Sequence, residues 1–486
     1  MTNFGVDLDH VRASGEIGPF PIRLGVLGDF AGDGEQPRLG ERRFLPVSEP
    51  DLGSLLEAIR PELRLSVADD RGEVSTVRLA FSSLEDFTQA GVRRRFGAAR
   101  EPAPPEPSTG GSLLDRILAG EEGSDGVARR AEQVLQDERF RRLSAAWFGL
   151  ARLAACCGGE VELVVASAER TELLRDLELA PELEDAFLFR RLYSDVYRAK
   201  DGVPITALVH AHEFSTHPDD EGLLRYLATV ASEAQTPVLA SAAPSLVNLD
   251  WQDFRPLAET GGSASLLGGP QHTGWRSLRD EEDLRLVTIV LPRWRASGSD
   301  AWDPWIGGVW LLGAQLAHAY RRERWPAGLC DEELAAAEVE VECTVAPAAA
   351  RRLAKDGLAL LATTPAGATL VRDAVSVHRP VAYHDEELTR MAREMAGLPY
   401  VASSCRLHQA LLCRARGPAG SAEELTAWLA QKSAPPDVAR TDPMRPLVLE
   451  GAVERTPDGS IAVRVRPAFR LPAMSGTAKV SLPLPE

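Results

Sequence analysis

A proline-rich stretch divides the chain into two unequal segments, and it constrains the fold more than any other feature. The stretch is REPAPPEPSTGG, in which four prolines fall within Pro102–Pro107 and are followed by Ser, Thr and two glycines. Such a composition favours extended polyproline geometry and cannot contribute to a packed core. The sequence therefore predicts a domain at residues 1–98, a linker at 99–111 and a larger domain at 112–486.

Composition excludes several classes of protein. The 486 residues are 44% hydrophobic, which supports a substantial core, and the net charge of −17 argues against a nucleic-acid-binding protein. The N-terminal sequence does not resemble a signal peptide, and no apolar run reaches the ~18 residues of a membrane helix. None of the six cysteines forms a C-x-x-C pair. These features predict a reduced, cytoplasmic protein without membrane insertion or a cofactor.

The segment before the linker has the pattern of a small α+β unit. The start FGVDLDHV alternates, with Phe4, Val6 and Leu8 on one side, and IRLGVLG is apolar enough to be a buried strand. DLGSLLEAI has helical spacing and is limited by Pro61, and LRLSVAD and STVRLAF are typical of strands.

The segment after the linker alternates between helices and buried strands. A short amphipathic helix with Leu113, Leu114, Ile117 and Leu118 is predicted first, followed by one long helix at about 126–157. Strands such as EVELVVAS, VPITALVHAHEF, TPVLASAAP and LRLVTIVLPR then alternate with helices, and three strands close the chain. This order predicts an α/β fold, with mixed, largely parallel sheets covered by helices.

Two motifs suggest chemistry, and both are weak. The strand and turn GVLGDFAG lacks the lysine and hydroxyl of a Walker A loop, so we interpret it as a structural turn. In HAHEFSTH, His210 and His212 alternate on one strand face, with Glu213 and His217 nearby, which would suit a metal-dependent hydrolase. The spacing matches no established metal motif, so a polar strand end is the favoured interpretation and the hydrolase the alternative.

Two further clusters are interpreted as structural. Cys156 and Cys157 are adjacent on an apolar helix face, where burial is more compatible with their geometry than a disulfide. The acidic run Asp280–Asp283 lies among arginines and is predicted to form paired surface charges.

Many sequence blocks resemble a known family, in the same order along the chain. PFPIRLGVLGDFAG, RRFLPV and VRLAFSSLEDF resemble the small sheath subunit of the type VI secretion system (TssB-like). GGSLLDRILAG, FLFRRLYSDVY, DGVPITALVHAHEF, GWRSLRDEEDLRLVTIVLPR and CRLHQALL resemble the large subunit (TssC-like). The chain therefore resembles the two subunits fused at Pro102–Pro107, with departures at Asp201 and after Trp325.

The resemblance implies a contractile-sheath fold and a structural function without enzymatic activity. Family sheaths are helical polymers of such protomers around an Hcp-like inner tube, attached to baseplate proteins, and they drive the tube out by contraction. A non-polymerising relative that acts as a baseplate or regulatory adaptor is a further alternative.

Two sets of residues carry the expected contacts with partners. Terminal strands exchanged between protomers would lie at the N-terminal arm and the C-terminal strands, with the residues Phe4, Val6, Leu8, Ile461, Val463 and Val465. A ClpV-like AAA+ ATPase that dismantles the sheath would bind the helix with Leu113, Leu114, Ile117 and Leu118.

Overall fold

The computed structural model describes most of the chain from residue 22 onward. The described residues are 22–47, 52–68, 73–98, 124–199, 202–247, 265–296, 303–323, 326, 329–330, 339–415, 423, 426–427, 430, 448–455, 461–467 and 478–482. The predicted N-terminal arm, the linker and the first helix after it lie outside these residues.

Fifteen strands are present in the described residues. They are β1 (Ile22–Gly28), β2 (Leu45–Val47), β3 (Glu62–Ala68), β4 (Val74–Ala80), β5 (Val161–Ser167), β6 (Ala207–Phe214), β7 (Val238–Ala242), β8 (Val287–Leu291), β9 (Trp294–Ala296), β10 (Val339–Val341), β11 (Ala359–Thr363), β12 (Thr369–Val371), β13 (Val448–Arg455), β14 (Ile461–Pro467) and β15 (Ala478–Leu482).

The principal helices connect and cover these strands. They are α1 (Gly53–Ile59), α2 (Gln89–Ala98), α3 (Ser124–Gln136), α4 (Glu138–Cys157), α5 (Arg170–Leu179), α6 (Pro218–Ala234), α7 (Thr273–Leu278), α8 (Gly308–Glu323), α9 (Pro347–Lys355), α10 (Glu386–Met395) and α11 (Leu398–Ala415). A π-helical turn, Arg190–Ser194, lies between the helical turns Phe187–Phe189 and Asp195–Tyr197.

An eight-stranded sheet organises the molecule, in the order β12-β11-β8-β7-β6-β1-β5-β2. Its six inner strands are parallel, and the outermost strands β2 and β12 are antiparallel to their neighbours. This confirms the predicted mixed, largely parallel sheet covered by helices.

The strand β1 links the two predicted segments within this sheet. Residues Ile22–Gly28 pair with Val161–Ser167 on one side, and Leu24–Leu27 pair with Ala207–His210 on the other. A strand from before the linker thus lies between two strands from after it. The two predicted segments therefore share one sheet in the fold. The domain boundaries at residues 98 and 112 stay predictions.

The core consists of two apolar layers, one on each face of the sheet. Along β1, Leu24 and Val26 are buried in one layer and Leu27 in the other, because successive side chains of a strand point to opposite faces. The first layer packs against α1, α3, α4 and α8, and the second against α5, α6, α7, α9 and α11. Burial on both faces explains why these strands are continuously apolar.

The segment at about 126–157 forms two helices, α3 and α4. The prediction of one continuous helix was therefore wrong. The break is at Asp137, which has extended backbone geometry and whose carboxylate accepts hydrogen bonds from Arg139 N and Phe140 N. Asp137 is therefore the N-cap of α4, and an aspartate before Glu138 is a typical helix start.

A separate three-stranded antiparallel sheet, in the order β13-β14-β15, forms the C-terminal part of the described chain. In register, Val463 of β14 lies opposite Val453 of β13 and Val480 of β15. The three predicted C-terminal strands are confirmed.

Candidate functional site

A cleft of about 810 Å³ opens where the parallel strands β1, β5 and β6 end. The carboxyl ends of parallel strands lie along one edge of a sheet, which is where α/β proteins commonly bind ligands. Its lining includes Gly28 and Asp29 after β1, His210, His212 and Glu213 of β6, and arginines of α4 and α5. It therefore contains both motifs that the sequence singled out.

The turn after β1 is stabilised by its own side chains. Asp29 Oδ1 accepts hydrogen bonds from Ala31 N (3.2 Å) and Gly32 N (2.9 Å), and Ser167 Oγ accepts one from Phe30 N (3.1 Å). Three successive backbone N–H groups are thus already bonded, whereas a phosphate loop leaves them for the ligand. The geometry supports the structural interpretation of GVLGDFAG.

The two histidines of β6 have different partners. His210 is buried, its Nδ1 accepts a hydrogen bond from His212 N (3.2 Å), and its Nε2 has no partner among the described residues. Burial, with a smaller effect of His212, lowers the pKa of His210 to about 3, so the ring is neutral. His212 Nε2 lies 3.1 Å from Asp220 Oδ1 and donates to it.

Asp220 is the centre of a buried polar network that sequence reasoning missed. Its carboxylate accepts hydrogen bonds from Arg170 (2.7 Å), His212, Ser215 N (2.8 Å) and Ser215 Oγ (2.5 Å). Burial acts to raise the pKa of Asp220, but the hydrogen bonds from His212, Ser215 and Arg170 outweigh it and hold the pKa below its usual range. The network fixes the start of α6 to β6 and α5.

Glu213 lies next to an arginine that another carboxylate already binds. Arg293 donates two hydrogen bonds to Glu342, at 2.8 and 2.7 Å, and its Nη1 is 3.9 Å from Glu213 Oε2. Burial raises the pKa of Glu213 to about 7, with Arg293 opposing the shift and Glu342 adding to it.

The arrangement does not favour the hydrolase alternative. His212 is hydrogen-bonded to Asp220, Glu213 lies 3.9 Å from Arg293 Nη1, and His217 caps α6 by accepting from Asp219 N. In the part of the chain that the structure describes, no three His, Cys, Asp or Glu side chains are grouped so as to hold a metal ion. The histidines and carboxylates of HAHEFSTH thus serve the packing of the strand end.

The acidic run at 280–283 forms surface ion pairs, as predicted. Asp280 pairs with Arg379, Glu281 Oε1 lies 2.8 Å from Arg225 Nε, and Glu282 Oε1 lies 3.0 Å from Arg285 Nη1.

The adjacent cysteines are not joined by a disulfide. Cys157 is buried and Cys156 is half-buried.

The residues predicted for strand exchange are only partly within the described chain. Ile461, Val463 and Val465 lie on β14, and both edges of β14 are paired, with β13 and β15. Among the described residues, the edges of this sheet that pair with no further strand are those of β13 and β15. The remaining predicted residues lie outside the described chain: Phe4, Val6, Leu8, Leu113, Leu114, Ile117 and Leu118.

None of the described helices is both long enough and apolar enough to cross a bilayer.

Two family models match the chain, and together they cover more than half of it. Residues 6–101 match the model described as type VI secretion system, VipA, and residues 124–304 match VipB (EvpB), the tail sheath N-terminal domain. The two matches fall on either side of the proline-rich stretch, in the order that the sequence predicted.

A relative is consistent with these models, and a weakly similar solved structure carries no argument. The type VI secretion system sheath protein TssC1 of Pseudomonas aeruginosa is 23% identical in an alignment 344 residues long, and the alignment covers 61% of this chain and 68% of the relative. A cryo-EM structure of the sheath complex of an extracellular contractile injection system, in the contracted state, is 9% identical. It covers 60% of this chain and 64% of its own, with a TM-score of 0.29, so the family models carry the assignment. The chain belongs to the sheath proteins of type VI secretion systems, with a VipA-type segment and a VipB-type segment in one polypeptide.

Proposed function

We propose that the chain assembles with copies of itself into a helical sheath around an Hcp-like inner tube and drives that tube out by contraction. The observation that carries the proposal is the succession of both sheath families on one chain. Baseplate proteins would anchor the polymer, and the cytoplasm is the proposed location. The work is mechanical, so no catalytic residue or cofactor is assigned.

The fusion supports a fixed one-to-one ratio of the two sheath segments. A covalent link raises the effective concentration of one segment near the other to roughly millimolar. The place of β1 between β5 and β6 supports a stronger coupling, because the segment before the linker supplies an inner strand of the sheet.

We propose that strands exchanged between neighbouring copies connect the polymer. The N-terminal arm with Phe4, Val6 and Leu8 would add to an open edge of the C-terminal sheet of another copy. Unpaired N–H and C=O groups on a sheet edge bind an added strand through main-chain hydrogen bonds. The central strand β14, which contains Ile461, Val463 and Val465, would then support the two edge strands through its main-chain hydrogen bonds.

The helix with Leu113, Leu114, Ile117 and Leu118 is proposed to bind a ClpV-like AAA+ ATPase. Its support is the resemblance of GGSLLDRILAG to the start of the large subunit. Co-precipitation of the ATPase with the full chain, but not with the variant Leu114→Asp, is the expected result. Equal recovery with both proteins would contradict this assignment.

Negative-stain electron microscopy of the full-length chain tests the sheath function. Hollow tubes, formed by the chain alone or with an inner tube protein, are expected. Discrete small particles at high concentration, with the inner tube protein present, would contradict polymerisation and favour the adaptor alternative.

Deletion of Met1–Ser14 tests the exchange of strands. The truncated protein is expected to remain folded, as judged by its urea unfolding curve, and to form no long tubes, because the added strand is lost. Long tubes from this truncation would contradict the proposed role of the N-terminal arm.

A further inference from the structure

A second, smaller cavity lies away from the cleft at the end of β6. Its volume is about 290 Å³, and it is formed by the loop at 265–268, by α7 and the residue after it, by the end of α9, and by Arg379. The basic residues that line it are Arg276, Arg279, Arg352, Lys355 and Arg379, and the acidic residue is Asp356. In a chain with a net charge of −17, this is a local excess of positive charge.

Arg279 is the buried cation of this cavity, with only 7% of its surface exposed. Its Nε donates to Val377 O (3.0 Å) and one Nη to Lys355 O (2.7 Å). Its other Nη makes no hydrogen bond with the described residues, and none of their carboxylate oxygens lies within 4.0 Å of the guanidinium. A buried charge that is bound by neutral carbonyl groups alone within the described residues retains much of its desolvation cost, which a bound anion would offset.

The carboxylate of the acidic residue in the cavity is already hydrogen-bonded to the neighbouring loop. Asp356 accepts hydrogen bonds from Ser265 Oγ (2.6 Å), Leu266 N (2.7 Å) and Leu267 N (3.2 Å). The carboxylate therefore holds the loop at 265–267 in place and makes no ion pair with Arg279. At the rim, Arg379 pairs with Asp280, which lies outside the lining.

The backbone around Arg279 is shaped to admit the guanidinium. Gly357 has a φ of +84°, and a Cβ at this position would lie 2.8 Å from Arg279 Nε and 2.8 Å from Val377 O. Trp275 closes the wall by donating from Nε1 to Asp356 O (3.0 Å). The buried arginine is thus held by neighbours on three sides.

We propose that this cavity binds a small oxyanion of the phosphate class, with Arg279 as the buried ligand and the exposed Lys355 at its mouth. The Nη of Arg279 that bonds no described residue can donate to phosphate oxygens, and charge-assisted hydrogen bonds of this kind are strong. The volume suits a phosphate or diphosphate group. The anion would come either as free phosphate or as the phosphate end of a nucleotide. A bound anion would join α7, α9 and the segment at 377–379, and would stabilise the folded state.

Calorimetric titration of the full-length chain with pyrophosphate, at an ionic strength matched with sodium chloride, tests the site. A saturable one-site isotherm is expected, together with a rise in the unfolding temperature that increases with the logarithm of the anion concentration. Absence of saturable heat, with an unfolding temperature no higher than in chloride, would overturn the proposal.

Paired variants on α9 separate a specific site from general attraction. Lys355→Gln, at the mouth of the cavity, is expected to weaken pyrophosphate binding about tenfold. The control Arg351→Gln removes the same charge from an exposed position of the same helix that does not line the cavity, and should change the affinity less than about twofold. Equal losses in the two variants would contradict the site.

The variant Arg279→Lys tests the role of the buried arginine. A comparison of ADP with pyrophosphate distinguishes the two sources of the anion. Provided that the variant unfolds cooperatively, it should lose pyrophosphate binding, because a single ammonium group cannot replace both bonds to carbonyl oxygens and also reach the anion. Retained affinity in a folded variant would overturn the role of Arg279. Tighter binding of ADP than of pyrophosphate would identify a nucleotide, and equal binding the free anion.

Discussion

The eight-stranded sheet and the C-terminal three-stranded sheet differ in how their edges end. In the large sheet, each edge is a three-residue antiparallel strand, β2 or β12, and β2 contains Pro46, which cannot donate to an added strand. The edges of the small sheet are β13, with eight residues, and β15, with five. Short strands and proline protect an edge against addition, whereas longer regular edges permit it. Under the proposed exchange of strands, the large sheet would be the rigid body of each copy and the small sheet would form the contacts between copies.

The largest expected effect concerns the inner strand β1. Leu24 is fully buried in the first core layer, so Leu24→Ala should lower the free energy of unfolding of the full chain by about 2–5 kcal/mol. The control Val74→Ala, at a position 70% exposed on β4, should change it by less than about 0.5 kcal/mol. Urea unfolding measures both. Similar values for the two variants would show that β1 is not an integral strand of the large sheet.

The second effect concerns the polar network at the carboxyl edge of the large sheet. Asp220→Asn should cost about 2–3 kcal/mol at neutral pH, because Arg170 and His212 lose a charged acceptor. The depressed pKa of Asp220 means that its stabilising effect is present above the unfolded pKa of about 3.9 and is lost as pH falls. The difference between wild type and variant should therefore shrink below about pH 4. A difference independent of pH would contradict the charged role of Asp220.

Glu213 should give a smaller effect of opposite sign. Its folded pKa of about 7 lies above the unfolded value, so the native state binds the proton more tightly and the wild type loses stability as pH rises from about 4.5 to 7. Glu213→Gln removes this loss, and should be more stable than wild type by about 1–2 kcal/mol at pH 8 and about equal near pH 4.5. Unfolding curves at the two pH values provide the measurement. A variant less stable at pH 8 would show that the ionised carboxylate stabilises the site through Arg293.

The smallest effect on stability is expected at the edge of the C-terminal sheet. Removal of residues 478–486 deletes β15, which pairs with β14 and with no described strand of the large sheet. The free energy of unfolding should change by about 1 kcal/mol or less, while long tubes are lost, because the edge that would accept an added strand moves from β15 to β14 and is displaced in the sheet. Urea unfolding and electron microscopy of the same preparation test this. Loss of the folded protein would show that the two sheets depend on each other.

Apolar periodicity predicted the strands and helices well where burial is uniform. It predicted them poorly where one polar residue sets the end of a helix. The strands β1, β5, β7 and β8 were readable because burial on both faces requires an unbroken apolar run. The break between α3 and α4 was missed because the apolar spacing continues across it, although Asp137 followed by Glu138 is a signal for a helix start.

The polar sites were less predictable than the strands. The motif HAHEFSTH directed attention to its own histidines, whereas the organising residue is Asp220, which follows the motif and is bonded by Arg170 from 50 residues earlier. Arg279 gave no signal in the sequence, since arginines are usually exposed and its burial depends on Gly357 and Val377.

Local apolar patterns and the order of the family-like blocks were enough to predict the family, the α/β class and the positions of most strands. That β1 lies between β5 and β6, that the two segments share a sheet, and that both edges of β14 are paired became visible in the folded chain. Strand order and the placement of buried charges depend on hydrogen bonds between residues that lie far apart in the chain. A local pattern fixes which residues are apolar, and it does not specify which strands become neighbours.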